Sequence, residues 1–130
     1  MLVRDAMSTV VLTIGPAHTL RQAARLMSAR QVGAAVVLDP DTCGLGILTE
    51  RDVLNAIGAG LDPDREHAHA HTTTDVVFAA PQWTLEEAAG AMLHGRFRHL
   101  VVCDGAELVG IVSVRDIVDC WAPVQAAVPA

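Results

Sequence analysis

Two short motifs, one in each half of the chain, combine side chains suited to holding a phosphorylated sugar. Each has a hydroxyl, an arginine two residues later and an aspartate three residues later: Thr49, Arg51 and Asp52 in the first, and Ser113, Arg115 and Asp116 in the second. At the N-terminus of a helix, free N–H groups, a hydroxyl and an arginine attract a phosphate. A carboxylate beside them accepts hydrogen bonds from the two hydroxyls of a ribose. The motifs therefore predict two binding sites for a sugar phosphate.

The same residues fit a purely structural role. A hydroxyl three residues before a carboxylate forms a capping box, which stabilises a helix start by about 1 kcal/mol. Gly46 and Gly110 lie on the apolar run before each motif, and a strand glycine lets a ligand or another backbone come close. The residues alone leave both interpretations open.

The motifs belong to an internal repeat, which fixes the architecture. Residues 19–24 resemble residues 84–89, which lie 65 positions later, and residues 46–52 resemble residues 110–116, which lie 64 positions later. The second copy is therefore shorter by one residue. The missing residue is expected in the turn at 104–107, which is shorter than the turn at 39–44, because turns tolerate changes of length.

Each repeat predicts the order β-α-β-β-α. Apolar residues recur at helical spacing in both copies: Leu20, Ala23, Ala24 and Met27, and Leu85, Ala88, Ala89 and Met92. Both helices begin with a capping box, Thr19 with Gln22 and Thr84 with Glu87. We therefore predict an α/β (α+β) fold of two β-α-β-β-α repeats packed with pseudo-twofold symmetry. Residues 1–64 form the first repeat, residues 65–122 the second, and residues 123–130 a flexible tail.

Composition excludes several classes of protein. The 130 residues carry 9 Lys+Arg against 15 Asp+Glu, a formal charge of −6, and 3% aromatic residues without tyrosine. Neither a nucleic acid nor an anionic membrane surface is an expected partner, since both require a positive field. The three cysteines form no Cys-x-x-Cys pair and no apolar run approaches the length of a membrane span. We expect a soluble, cytoplasmic protein. Because Cys43 and Cys103 have no adjacent histidine, we do not expect nucleophilic catalysis.

Residues 46–52 and 110–116 resemble the Gly-apolar-apolar-Ser/Thr-x-x-Asp motif that closes cystathionine β-synthase (CBS) domains. The resemblance covers roughly residues 1–122, with Gly60-Leu61-Asp62-Pro63 between the copies. Residues 3–7 also match the Val-x-Asp-x-Met start of the domain, whereas residues 66–71, Glu-His-Ala-His-Ala-His, depart from it before the second repeat.

This resemblance implies a tandem pair, or Bateman module, with two clefts that each hold an adenosine-containing ligand. AMP, ADP, ATP and S-adenosylmethionine are the ligands it implies, as regulatory ligands rather than required cofactors. The module is then a sensor and not an enzyme, and a homodimer is expected. The adenine would lie against Ile14, Ala34 and Ala35 in one cleft, and against Ala79 and Leu100 in the other.

Three basic residues, Arg96, Arg98 and His99, precede the strand at Leu100. They are either a solvated turn or contacts for a polyphosphate in the second cleft. The first repeat has Gly33 and Ala34 at the positions of Arg98 and His99, so we expect the two clefts to differ, with the second favouring longer phosphate chains.

Two other functions remain open. In the first, the module serves only for dimerisation or protein interaction, without a ligand. Alternatively, His67, His69 and His71 would point to one side of an extended strand and hold a metal, although a solvated or loosely helical connector is the preferred interpretation and no metal is predicted. In the nucleotide-sensing interpretation we expect no output domain in the chain, so the module either acts on a separate, unidentified effector protein or serves as a nucleotide buffer.

Overall fold

The computed structural model describes residues 1–42 and 44–121 and shows two compact units. The first-repeat unit comprises Val11–Val76, and the second-repeat unit comprises residues 1–10 together with residues 77–121. These units differ from a division by sequence similarity, because the first ten residues group with the second repeat and the connection up to Val76 groups with the first. The turn position of Cys43 and the predicted tail lie outside the described residues.

The first-repeat unit has the predicted order β-α-β-β-α. Its elements are β1 (Thr13–Ile14), α2 (Leu20–Arg30), β2 (Ala34–Leu38), β3 (Leu45–Thr49) and α3 (Glu50–Gly58). The strands form one sheet in the order β1-β2-β3, with β1 parallel and β3 antiparallel to β2. Parallel β1 and β2 are joined through α2, as a parallel pair requires.

The second-repeat unit has the same order after a short helix, α1 (Val3–Ala6). Its other elements are β4 (Phe78–Ala79), α4 (Leu85–Gly95), β5 (His99–Asp104), β6 (Glu107–Ser113) and α5 (Val114–Trp121). β4 is parallel to β5, β6 is antiparallel to it, and the register shifts at Val102/Cys103. The tandem mixed α/β architecture is thus confirmed, as is the shorter turn in the second copy.

The apolar runs at residues 10–14 and 76–79 form strands only over their last two residues, because only those pair with β2 and β5. The histidine stretch is not the extended strand that the metal hypothesis requires. Ala68–Ala70 form a 3-10 turn, in line with the preferred interpretation of a loosely helical connector.

Alternation along the strands buries one sheet face against the helices of the same unit. In the first-repeat unit the core includes Ala35, Val37 and Leu48 together with Leu20 and Met27 of α2. The second-repeat unit repeats this pattern with Leu100, Val102 and Val112 against α4 and Ile117 of α5. Both α2 and α4 begin with the predicted capping boxes at Thr19 and Thr84, so cap and apolar stripe act together to place each helix.

Each unit is closed by a lead-in segment, which we define as residues 1–8 in the second-repeat unit and residues 66–73 in the first-repeat unit. The two segments make matched backbone hydrogen bonds. In residues 1–8 these are Val3 N–H to Trp83 O (2.8 Å), Arg4 N–H to Pro81 O (3.0 Å) and Ser8 N–H to Ile111 O (2.9 Å). Their counterparts in residues 66–73 are Ala68 N–H to His18 O (2.7 Å), His69 N–H to Pro16 O (3.1 Å) and Thr73 N–H to Ile47 O (2.9 Å). Val3 and Ala68 are both fully buried. Residues 66–71 therefore perform the role of residues 3–7 despite their different sequence.

The strand glycines make room for these lead-in segments. A β-carbon on Gly46 would overlap Thr72 Cγ2 and would lie 2.9 Å from the carbonyl oxygen of Thr73. On Gly110 it would lie 2.8 Å from both Met7 Sδ and the carbonyl oxygen of Ser8. A strand glycine lets either a ligand or another backbone come close, and at Gly46 and Gly110 the structure shows another backbone.

Among residues 1–42 and 44–121, the helices are all too short or too polar to cross a bilayer.

Gly46→Ala should lower the free energy of unfolding by about 1–3 kcal/mol, because the new methyl group meets a backbone oxygen that cannot move away. Gly90→Ala is the matched control: this α4 glycine has open space at its β-carbon, so alanine should stabilise the helix by about 0.5–1 kcal/mol. Urea unfolding measures both. Equal effects at the two glycines would contradict the close approach.

Val3→Ala should destabilise the second-repeat unit by about 1–2 kcal/mol, because Val3 is buried in that unit's core. Val10→Ala, at a side chain that is 70% exposed, is the control. Hydrogen exchange followed by mass spectrometry should show faster exchange in α4 and β6 and unchanged exchange in α2. Faster exchange confined to α2 would show that residues 1–8 pack with the other repeat.

Candidate functional site

The first predicted motif forms the junction between β3 and α3. Thr49 N–H donates to Asp52 Oδ2 (2.8 Å), and Asp52 N–H donates to Thr49 Oγ1 (3.3 Å). The Thr49 hydroxyl also donates to Asp52 Oδ2 (3.0 Å). The capping-box interpretation is thus confirmed here, and the three bonds hold the carboxylate beside the first turn of the helix.

The second motif forms the same junction between β6 and α5. Ser113 N–H donates to Asp116 Oδ2 (2.8 Å), and Asp116 N–H donates to Ser113 Oγ (3.0 Å). In contrast to Thr49, the Ser113 hydroxyl donates to no acceptor within the described chain. The second junction therefore keeps a hydroxyl proton available for a ligand.

Each junction is tied to the residue that precedes the central strand. Glu50 N–H donates to Gly33 O (2.9 Å), and Val114 N–H donates to Arg98 O (2.9 Å). One step further along the ladder, Ala34 pairs with Thr49 and His99 pairs with Ser113. The backbones of Arg98 and His99 thereby lie beside the Ser113 junction, whereas Gly33 and Ala34 occupy the equivalent positions beside Thr49.

Arg51 and Arg115 are the second residues of α3 and α5 and are exposed to solvent. The backbone N–H groups before and after each arginine are already bonded. In α3 they donate to Gly33 O and Thr49 Oγ1, and in α5 they donate to Arg98 O and Ser113 Oγ. Neither guanidinium forms an ion pair within residues 1–42 and 44–121. Each arginine thus offers a free cation at the positive end of a helix, where an anion is favoured.

The apolar residues expected near an adenine do not all face the junctions. Ile14 and Ala35 pack in the core of the first-repeat unit, as Ala79 and Leu100 do in the other unit. Ala34 lies on the opposite sheet face, by strand alternation, and is also buried. Ile14 and Ala35 would therefore present backbone groups rather than side chains to a base.

The histidine stretch lacks the geometry that the metal hypothesis required. His71 Nε2 lies 2.8 Å from Glu66 Oε1, and the ring centroids of His67 and His69 are 5.7 Å apart. No set of three histidine, cysteine or carboxylate side chains suited to a metal occurs within the described residues. The 3-10 turn at Ala68–Ala70 places these imidazoles differently from the side-by-side array of an extended strand.

Two pKa shifts concern groups away from the junctions. Burial raises the pKa of the Cys103 thiol, which favours the protonated, unreactive form. The hydrogen bond from Arg21 lowers the pKa of Asp64. Both members of the latter pair are exposed, so it contributes little to stability.

One charged residue at the junctions was missed by the sequence reasoning. Glu50 follows Thr49 directly and its carboxylate lies against Gly33, whereas the equivalent residue in the second repeat is Val114. Aligning the two repeats position by position would have shown the difference between Glu50 and Val114, but only the structure shows what the Glu50 carboxylate contacts.

Comparison with known proteins identifies the family. The CBS domain model matches residues 3–59 and 69–122. The CBS domain-containing protein YhcV of Bacillus subtilis is 34% identical over 116 residues, which cover 88% of this chain and 81% of YhcV.

Two solved structures have the same fold. A hexameric CBS-CP12 protein from bloom-forming cyanobacteria superposes with a TM-score of 0.87 at 26% identity, covering 99% of this chain and 76% of that one. The CBS domain protein PAE2072 from Pyrobaculum aerophilum, complexed with AMP, superposes with a TM-score of 0.80 at 26% identity and covers 89% of each chain. With two copies of the matched domain over most of its length, the chain belongs to the CBS-domain family.

Proposed function

We propose that this protein binds adenosine-containing ligands at the first turns of α3 and α5 and acts as a regulatory module. The observation that carries the proposal is the pair of strand–helix junctions, each with a carboxylate held at the helix start and an arginine that forms no ion pair with the residues that the structure describes. The AMP complex of PAE2072, a member of the same family, supports the choice of an adenine nucleotide.

Asp52 and Asp116 are the proposed ribose ligands. In both, the capping bonds from the backbone N–H and, for Asp52, from the Thr49 hydroxyl go to Oδ2. Oδ1 can then accept a hydrogen bond from a ribose hydroxyl without breaking the helix cap. The cap orients the carboxylate in advance, so little conformational freedom is lost when a ligand binds.

Arg51 and Arg115 are the proposed phosphate ligands. Each combines a side-chain cation with the helix N-terminus, and both favour an anion. Arg98 and His99 add to the phosphate-binding groups of the second-repeat unit, where the Arg98 carbonyl is bonded to the first residue of α5. The adenine is proposed to lie near Ala34 and the backbone of Ile14 and Ala35 in the first-repeat unit.

Binding rather than catalysis is the proposed activity. A ligand regulates if it binds one packing of the protein more tightly than another and so shifts the population. The junctions suit this role because a ligand there contacts the start of a helix whose other end is exposed. The shift would be passed to a separate effector protein.

The proposed assembly is a homodimer. α3 exposes Leu54 and Ile57, and α5 exposes Val118 and Trp121, each about half or more accessible in the single chain. Exposed apolar side chains at helical spacing are typical of surfaces that pack against another chain. The hexameric cyanobacterial relative shows that a protein of this fold forms oligomers.

The double variant Asp52→Ala, Asp116→Ala should lose affinity for adenosine-containing ligands by roughly thirtyfold at each site, because a charged hydrogen-bond acceptor for the ribose is removed. Isothermal titration calorimetry with AMP, ADP, ATP and S-adenosylmethionine measures this. Glu87→Ala, which removes the corresponding carboxylate from the capping box of α4, controls for the loss of a cap.

Full affinity in the double variant would exclude the two aspartates as ribose ligands. Absence of heat with all four ligands at millimolar concentration would instead favour a module that serves dimerisation or protein interaction alone.

Light scattering on the purified protein should give twice the chain mass of 13.7 kDa. Leu54→Asp and Trp121→Asp should each shift the mass toward the monomer, since burying a carboxylate in an apolar interface is unfavourable. Leu93→Asp, at an α4 side chain that is 81% exposed, is the control and should leave the mass unchanged. A monomeric wild-type protein, with and without AMP, would contradict the proposed assembly.

A further inference from the structure

The junctions at α3 and α5 have the same backbone hydrogen bonds but are built from residues of different charge. The equivalent carbonyls that accept the first helical N–H belong to Gly33 and Arg98, and the donors belong to Glu50 and Val114. The α3 junction has one cation, Arg51, and the carboxylates of Glu50 and Asp52. The α5 junction has Arg115 and the carboxylate of Asp116, lacks a counterpart of the Glu50 carboxylate, and includes the backbone carbonyl of a second, exposed arginine, Arg98.

Glu50 reaches back across the start of the helix. A β-carbon built on Gly33 would lie 3.1 Å from Glu50 Oε1 and 3.3 Å from Glu50 Cδ. The carboxylate thus lies against the residue whose counterpart in the other unit is an arginine. It forms no ion pair within the described parts of the chain, so its negative charge is not neutralised by a neighbouring side chain.

The hydroxyls of Thr49 and Ser113 also differ in a way that favours phosphate at the α5 junction. Thr49 Oγ1 donates its proton to Asp52 Oδ2, whereas among the described residues the Ser113 hydroxyl only accepts, from Asp116 N–H. A phosphate oxygen at the α5 junction can accept from Ser113 at once, while at the α3 junction it would have to displace an existing bond. Charge and hydrogen-bond geometry therefore both favour phosphate at α5.

We propose that the two sites divide adenosine ligands by charge. The α5 site takes a phosphorylated nucleoside, and the α3 site takes an adenosine derivative without a phosphate, either adenosine itself or a cationic sulfonium such as S-adenosylmethionine. This inference rests on the proposed function, because it assigns a ligand class to each of the same two sites.

Calorimetry with AMP and with adenosine on the full chain tests the assignment. AMP should bind the wild type tightly at one site; this affinity should be retained in Asp52→Ala and should fall in Asp116→Ala to the weak affinity of the α3 site. Adenosine should still bind in Asp116→Ala, through the α3 site. AMP binding that survives in Asp116→Ala and is lost in Asp52→Ala would reverse the assignment and overturn the proposal.

The charge of Glu50 is tested by Glu50→Gln in the Asp116→Ala background, where only the α3 site remains. AMP affinity should rise about fivefold while adenosine affinity stays the same, because an exposed like charge has been removed and the shape kept. Val114→Glu in the Asp52→Ala background should lower AMP affinity at the α5 site by a similar factor. Glu86→Gln, an exposed carboxylate in the first turn of α4, is the matched control.

The two proposals fail in different ways. If neither AMP, adenosine nor S-adenosylmethionine binds the wild type, the proposed function falls and this inference with it. If these ligands bind but AMP and adenosine are held equally at both sites, or Glu50→Gln leaves the AMP affinity at α3 unchanged, only the division by charge is overturned. Thermal unfolding of each variant establishes that it is folded before titration.

Discussion

Each unit depends on one backbone hydrogen bond that ties the start of its last helix to the residue before its central strand. Glu50 N–H to Gly33 O and Val114 N–H to Arg98 O are equal in length. They hold strand and helix at a fixed junction, so the hydroxyl, arginine and aspartate of each motif reach one place. Pairing of Thr49 with Ala34 and of Ser113 with His99 already holds the hydroxyl residue in the sheet, and this bond adds the first residue of the helix.

Structural and functional interpretations of the motif do not compete in this protein. The capping bonds at Asp52 and Asp116 occupy Oδ2 and orient the carboxylate, and the arginine between hydroxyl and aspartate takes no part in the cap. The helix cap stabilises the fold and at the same time holds the carboxylate ready to accept a hydrogen bond from a ligand. A residue can therefore stabilise the fold and still be the proposed ligand contact.

The lead-in segments show how different sequences meet one packing requirement. Val3 and Ala68 fill equivalent buried positions, and three backbone bonds of each segment have a counterpart in the other. Backbone N–H and C=O groups carry no side-chain identity, so a segment of histidines and alanines can replace a family-like start as long as a small apolar residue occupies the buried position. The glycines opposite, Gly46 and Gly110, are required by this approach of two backbones.

The sequence by itself determined the tandem repeat, the order of elements, the four capping boxes and the six motif residues, because these are local patterns with a fixed spacing. Only the tertiary structure decided what the strand glycines accommodate, which repeat each lead-in segment closes, and that Glu50 lies against Gly33. Those features depend on contacts between residues far apart in the chain, such as Gly46 with Thr73 or Met7 with Gly110. Local spacing carries no information on which distant backbone will fill the space beside a residue.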